Sequence, residues 1–316
     1  MKILVTGGAG FIGSHTVHRL LQRGYSVVCV DNFNDYYNPK LKEDNIKDFI
    51  NHNNFKLYRE DIVDFETMKN IFESEKIDRV CHLAARAGVR ASIEKPLLYE
   101  QVNVRGTLNL LELSQTYKIK GFILASSSSV YGNSNKIPLS EKDNVNHPIS
   151  PYAATKKSAE LLTYTYHYLY QLHCTCLRFF TVYGPSGRPD MAPFLFVDSI
   201  YKGKKIKKFG DGSTKRDYTY IDDVVSGIIS AIETNLDYEI INLGNNKPIN
   251  LNYFIALIEK LLNKKAIIEE HLKQLGDVDI TYANINKARN LLQYRPKTTI
   301  EEGMAKFVKW YLKARL

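Results

Sequence analysis

Tyr152 and Lys156, in SPYAATK at 150–156, form a pair that can do acid-base chemistry at a hydroxyl-bearing carbon. Spaced by four on a helix, the phenol and the ammonium share one face. A nearby cation favours phenolate and brings the tyrosine pKa towards working pH. That suits a base that takes a hydroxyl proton while hydride leaves the same carbon. With 21 tyrosines in the chain the spacing also arises by chance, at Tyr36/Lys40 and Tyr201/Lys205. The first of these contains Pro39 in a loop-like stretch and the second contains Gly203 at a helix end. Only Tyr152 opens a long helical pattern, directly after Pro151. Upstream of it stand Ser126, Ser127, Ser128 and Ser129, where an apolar run ends. A hydroxyl there can donate to the oxygen that alternates between alcohol and ketone. Ordinary polar loop residues are the plainer reading of the same serines.

Hydride chemistry needs a carrier, and the N-terminus has the pattern for one. Gly7, Gly8, Gly10 and Gly13 lie between the apolar run KILVT and an amphipathic pattern ending at Gly24. Glycines there let the backbone turn tightly and approach a pyrophosphate, whose charge the helix N-terminus stabilises. Asp31 closes the second strand, where a carboxylate accepts hydrogen bonds from the adenine-ribose hydroxyls. Asn32 and Phe33 follow it, so a 2′-phosphate would meet a like charge with no adjacent Arg; NAD is expected over NADP. Asp61, in EDI after the third strand, is read either as a contact to the adenine amino group or as a turn aspartate.

These residues need a frame that brings strand ends together. Apolar runs at 2–6, 25–30, 55–58, 79–83, 121–125, 174–180 and 239–243 alternate with helical patterns such as 96–117 and 151–170. Such alternation predicts an α/β fold with a doubly wound parallel sheet of the Rossmann kind. Beyond 182 the spacing becomes irregular, with PSGRPDMAP and FGDGSTKRD as loops. The expected division is therefore residues 1–182 for the cofactor and 183–316, mostly, for a smaller C-terminal substrate-binding domain at the strand ends. The stretch 218–244 is open to either.

Composition limits the alternatives. A chain of 316 residues with 24% charged residues can bury a sizeable core. No basic leader precedes the first apolar run and no stretch approaches membrane-spanning length, so a soluble cytoplasmic protein without a membrane partner is expected. Cys29, Cys81, Cys174 and Cys176 sit in strand-like runs without a CxxC pair; buried thiols, and no metal, are expected. The net charge of +9 is scattered apart from Lys204, Lys205, Lys207 and Lys208. That argues against nucleic acid and suits a small polyanionic substrate.

In order along the chain, TGGAGFIG, HLAA, SSSSVYG, SPYAATK and RDYTYIDDV resemble the extended short-chain dehydrogenase/reductase family over nearly its whole length. Within that family DNFNDYYNPKLKEDN, AGVRASIEKP and LRFFTVYGPSGRPDMAPF are most similar to the UDP-glucuronate 4-epimerases. The resemblance implies Ser127 as the catalytic hydroxyl, Tyr152 as the base and Lys156 as its partner. Around the cofactor the expected set is Gly7, Gly10, Phe11, Ile12, Gly13, Asp31, Asn32, Asp61, Ile62, Leu83, Ala84, Ala85 and Asn103, with Tyr152 and Lys156. Around the UDP-sugar it implies Ser127, Ser128, Ser129 and Tyr152. Thr181 and Arg188 would lie near a sugar carboxylate, Arg216 at the diphosphate and Asp277 at the uridine ribose. Ser186, Arg86, Ala91 and Asn284 depart from the group's commoner Trp, Gln, Tyr and Asp, which bears on pocket shape.

The implied reaction is 4-epimerisation of UDP-glucuronate to UDP-galacturonate through a 4-keto sugar, by a homodimer. UDP-glucose and UDP-N-acetylglucosamine are the alternative substrates. Dehydratases of the family carry an Asp-Glu pair after the catalytic hydroxyl and decarboxylases a Glu; Ser128 and Ser129 stand there instead. A non-catalytic NAD-binding regulator would ordinarily lack Tyr152 or Lys156.

Overall fold

The computed structural model describes residues 1–134, 136–272 and 279–315. Its centre is a seven-stranded sheet built from β1 (Lys2–Thr6), β2 (Ser26–Val30), β3 (Phe55–Tyr58), β4 (Arg79–His82), β5 (Phe122–Ser127), β6 (Cys174–Phe179) and, from later in the chain, β10 (Tyr238–Leu243). The strand order is β10-β6-β5-β4-β1-β2-β3, and every pairing is parallel. Parallel strands joined by helices are covered on both faces, which is why these runs are continuously apolar. All six residues of β5 and of β6 are buried. Period-two alternation then divides each strand between two cores. Leu4, Val28, Leu124 and Cys176 pack on one face, while Val5, Cys29, Ile123 and Leu177 pack on the other. The four cysteines are buried free thiols.

Chain order reverses between β1 and β4, so the crevice beyond their carboxyl ends is where an open sheet of this kind takes a ligand. The expected helix over 96–117 is interrupted. It runs as Pro96–Glu100, a π-helical turn at Gln101–Arg105, and Gly106–Thr116. An apolar period of 3.6 does not reveal a turn with one extra residue, and such turns occur often at functional sites.

Past Phe180 the chain leaves the large sheet. β7 (Thr181–Tyr183) pairs with β9 (Lys215–Tyr220), which is flanked by β11 (Pro248–Asn250) and β13 (Ile280–Thr281). β8 (Lys205–Phe209) and β12 (Ile267–His271) form a separate pair. Of the stretch 218–244, β10 lies in the large sheet and the end of β9 in the smaller one. Asp217 holds this region together, accepting from the backbone N–H of Asn245, Asn246 and Ala283.

Candidate active site

At the end of β1 the chain turns through Gly7 at φ +68°, where a Cβ would lie 2.7 Å from the Ala84 nitrogen at the end of β4. A Cβ on Gly13 would lie 2.0 Å from the Gly7 carbonyl oxygen. Glycine at both places lets the helix Phe11–Gln22 start directly against the loop. Among the described residues no side chain caps that helix, so its first N–H groups face the crevice as an anion site. The close fit of loop, strand end and bare helix N-terminus suits a dinucleotide pyrophosphate.

The end of the crevice beside β2 centres on Asp31, which is buried. One carboxylate oxygen accepts from Ala9 N–H at 3.2 Å; the other accepts from Phe33 N–H at 2.9 Å and Lys42 Nζ at 3.1 Å. No Arg adjoins Asp31 in sequence, yet a cation is close in space. Lys42 supplies one from the following helix, Lys40–Ile46. Asn32 donates to Asp61 at 2.8 Å, and the other Asp61 oxygen accepts from Val63 N–H, so Asp61 closes a turn while lining the crevice.

Beside this end, Thr6 Oγ1 meets His82 Nδ1 at 2.7 Å and His82 Nε2 meets Thr107 Oγ1 at 3.0 Å. Burial, with the charge of Lys156, drops the His82 pKa to about 3, so the ring is neutral. Thr107 in turn donates to the Asn103 carbonyl. Asn103 is buried and does not line the crevice. From the π-helical turn its side chain accepts from Arg86 N–H and donates to the Arg86 carbonyl and to Thr155 Oγ1, fixing the loop after β4 against the helix that carries Tyr152.

That helix, Pro151–Tyr170, begins with Ser150 as N-cap, whose hydroxyl accepts from Ala153 N–H at 3.1 Å, and with Pro151 in its first turn. Tyr152 therefore sits at the mouth of the crevice and Lys156 one turn deeper. The alternation of β5 sorts the serines. Ser126 points to the far side and donates to Glu160, which is locked to Arg178 through two contacts of 2.8 Å. Ser127 faces the crevice on the Tyr152 side, and its hydroxyl accepts from Ser129 N–H at 3.1 Å. Burial pushes the Tyr152 phenol above its ordinary pKa, while Ser127 and the positive charge of Arg188 pull it back. Lys156, one turn along the same helix, donates its Nζ to the Ala125 carbonyl at 2.7 Å, and burial lowers its pKa to about 8 against the opposing charge of Glu160.

The other end of the crevice is closed by the loop after β7. Arg188 N–H donors Nε and Nη2 meet the two oxygens of Asp190, and the guanidinium lies 5.5 Å from the Tyr36 ring centre. Tyr36 donates to the same aspartate at 3.1 Å. Tyr99 donates to the Ala87 carbonyl and meets Tyr152 edge to face at 6.3 Å. His15, on the first helix, contacts the Pro185 carbonyl at 3.0 Å and ties this loop to the glycine end. Of the departures from the resembled group, Arg86 lines the crevice over Tyr36 and Ser186 takes a positive φ in the loop. Asn284 caps the backbone of Asn286.

The crevice thus gathers Ser127, Ser128, Ser129, Tyr152, Lys156, Thr181 and Arg188 with the whole expected cofactor set except Asn103. Arg216 lies outside it, its guanidinium on the carbonyls of Lys215 and Asp279. Asp277 lies outside the described residues. The Arg188–Asp190 pair is the alternative reading of Arg188 that the sequence offers, whereas Tyr36, Lys42 and Tyr99 have no signal there. Tyr36 and Asp190 lie in the DNFNDYY and RPDM segments, and no spacing within either segment discloses that the two meet.

Residues 4–307 match the family model described as GDP-mannose 4,6 dehydratase. The UDP-glucuronate 4-epimerase of Thermodesulfobacterium geofontis is 50% identical over 308 residues, covering 97% of this chain and 95% of that protein. The Bacillus cereus UDP-glucuronic acid 4-epimerase, solved with UDP-glucuronic acid and NAD, superposes with a TM-score of 0.94 at 38% identity, over 99% of this chain and 100% of that one. A UDP-glucose 4-epimerase of Thermotoga maritima, solved with UDP-glucose, gives 0.92 at 34% identity, over 100% of both chains. A Rossmann-like sheet, a Ser-Tyr-Lys cluster at its carboxyl edge and these matches agree: the chain belongs to the extended short-chain dehydrogenase/reductase family, among the nucleotide-sugar epimerases and dehydratases.

Proposed function

We propose that the protein is an NAD-dependent isomerase that interconverts UDP-glucuronate and UDP-galacturonate by inversion at C4′ of the sugar. The observation that carries this reading is the placement of Arg188, a cation coupled to Tyr152, in the same crevice as Ser127 and Lys156. With Asp190 on its Nε/Nη2 edge, the guanidinium keeps its remaining N–H donors for a sugar carboxylate, which a neutral CH2OH replaces with a weaker, uncharged contact.

In this reading Gly7, Gly10 and Gly13 with the N-terminus of the helix Phe11–Gln22 hold the NAD pyrophosphate, and Asp31 holds its adenine ribose. NAD held there would supply the hydride acceptor and donor at C4′, with the 4-keto sugar turning so that the hydride comes back to its other face. Tyr152 takes the 4′-hydroxyl proton in the first half and gives it back in the second. Ser127, beside that phenol, shares the oxygen as it changes between alcohol and ketone. Lys156, anchored on the Ala125 carbonyl, supplies positive charge behind the tyrosine. Loss of water or of CO2 at the neighbouring carbons needs a further acid or base, and Ser128 and Ser129 offer no carboxylate.

Arg216 and Asp277 are assigned to the UDP moiety on the resemblance alone. The protein is further assigned to the cytoplasm, on its free buried thiols, and to a homodimer. Leu161, Tyr164 and Tyr168 form an exposed stripe on the helix Pro151–Tyr170, a face that a second copy would cover. No helix among the described residues is long and apolar enough to cross a membrane. Incubation with a panel of UDP-sugars and product identification by NMR tests the function. UDP-galacturonate from UDP-glucuronate is expected, and epimerisation of UDP-glucose or UDP-N-acetylglucosamine alone would overturn the choice of sugar.

A further inference from the structure

The way Arg188 is held carries an inference that rests on the uronic-acid reading and extends it to a residue with no direct part in the chemistry. Arg188 and Asp190 are the first and third residues of a turn closed by Met191 N–H donating to the Arg188 carbonyl at 3.2 Å, with Pro189 between them. Proline fixes φ at the second position of such a turn and keeps the flanking side chains close. Asp190 takes the Nε and Nη2 edge of the guanidinium through both of its oxygens. One of those oxygens also accepts from Tyr36, whose ring lies beneath the guanidinium plane. Gly88 allows this convergence. At φ +105°, a Cβ there would stand 2.7 Å from the Tyr36 hydroxyl and 3.8 Å from the Asp190 carboxylate.

A guanidinium has five N–H donors in a rigid fork, and a carboxylate on the Nε/Nη2 edge leaves the Nη1/Nη2 edge for a second acceptor. Asp190 thereby settles which edge of Arg188 meets the sugar. It also offsets part of the guanidinium charge beside Tyr152. A second cation, Arg86, lies 5.8 Å from the same Tyr36 ring. Two arginines thus flank that ring together with Asp190, a positive setting that a carboxylate on the sugar would match.

We propose that Asp190, braced by Tyr36, is a positioning residue that sets specificity: it orients Arg188 so that only a C6 carboxylate completes the charge balance in the productive pose.

The test compares steady-state kinetics of Asp190→Asn, Asp190→Glu and Tyr36→Phe with the unmodified enzyme, on UDP-glucuronate and on UDP-glucose, with NAD bound. Losing one charge-assisted contact of a bidentate pair should lower kcat on UDP-glucuronate by about tenfold or more in Asp190→Asn. KM should not rise, because the net positive charge of the pocket increases. Any UDP-glucose turnover should fall less. Asp190→Glu should recover part of the rate, and Tyr36→Phe, which keeps the ring and loses the donor, should show a smaller loss in the same direction. Unchanged kinetics in Asp190→Asn and Tyr36→Phe would overturn the proposal, as would equal proportional losses on both sugars accompanied by a lower melting temperature. An unmodified enzyme inactive on UDP-glucuronate but active on UDP-glucose would instead refute the uronic-acid reading beneath it.

Discussion

The two ends of the crevice each hold a carboxylate against a cation, and the pairs differ in how open they are. At the adenine-ribose end, Asp31 and Lys42 have side chains only 5% and 7% exposed, and two backbone N–H groups also donate to the carboxylate. At the sugar end, Arg188 and Asp190 are 20% and 34% exposed and sit in a four-residue turn. A buried pair whose carboxylate also holds two backbone N–H groups is a fixture, because breaking it leaves a charge stranded away from water. A partly exposed pair on a loop can share its donors with an incoming acceptor at little cost. The cofactor end is thus built to hold and the sugar end to exchange, as a reaction that keeps its NAD and turns over its sugar requires.

Separating the two ends gives the largest effect. Tyr152→Phe keeps the ring that meets Tyr99 and removes the proton carrier, so turnover should drop by about a hundredfold or more. NAD affinity, measured by calorimetry, should stay near that of the unmodified protein. Near-normal turnover would mean that the acid-base role lies elsewhere.

Arg188→Ala breaks the sugar end alone. The ratio of kcat/KM for UDP-glucuronate to that for UDP-glucose should fall about ten- to a hundredfold, the value of hydrogen bonds to a charged group. Equal losses on both sugars would make Arg188 a loop brace and remove the physical basis for a uronic acid.

Lys156 lies where the ends meet, and its burial gives a pH signature with opposite signs for rate and stability. Its folded pKa, about 8, lies below the ordinary 10.5. The unfolded chain therefore binds more protons between those values, and the Lys156 contribution to stability improves as pH rises through about 8. The rate should decline over the same interval, because the ammonium behind Tyr152 is lost. Profiles of kcat and of melting temperature against pH check this, and a rate that climbs steadily through that interval would show that the charge is not needed.

Most of the large sheet was legible because its signals are local. Continuous apolar runs, a glycine loop with an acidic strand end, and a Pro-Tyr helix start each occupy a few consecutive residues, and the structure places β1 to β6 and β10 on those runs. The serine at the site was narrowed to Ser127 by the alternation of β5, which the resemblance had also implied. What stayed hidden depends on contacts between distant segments. Tyr36 and Asp190 are separated by 154 positions and Lys156 reaches a carbonyl 31 positions earlier, so neither spacing nor composition announces them. Lys42 was missed for a related reason: it reaches Asp31 only through the turn between β2 and the next helix. The π-helical turn that aims Asn103 at the loop after β4 was hidden inside an uninterrupted helical pattern.

The smallest effect should come from the cofactor end. Lys42→Ala leaves Asp31 uncompensated, so discrimination against the 2′-phosphate of NADP should widen by a few-fold, whereas Asp31→Ala should narrow it. Calorimetric titration with both nucleotides measures the change. Equal affinity of the unmodified protein for NAD and NADP would contradict the role given to Asp31.

The most direct test of the whole account is to follow UDP-glucuronate by NMR in D2O with the NAD-bound enzyme. A hydride that leaves C4′ and returns within one closed site never exchanges with solvent. The account predicts UDP-galacturonate with protium retained at C4′ and no accumulation of reduced cofactor. Deuterium at C4′, or UDP-glucuronate recovered unchanged from an enzyme that epimerises UDP-glucose, would contradict it.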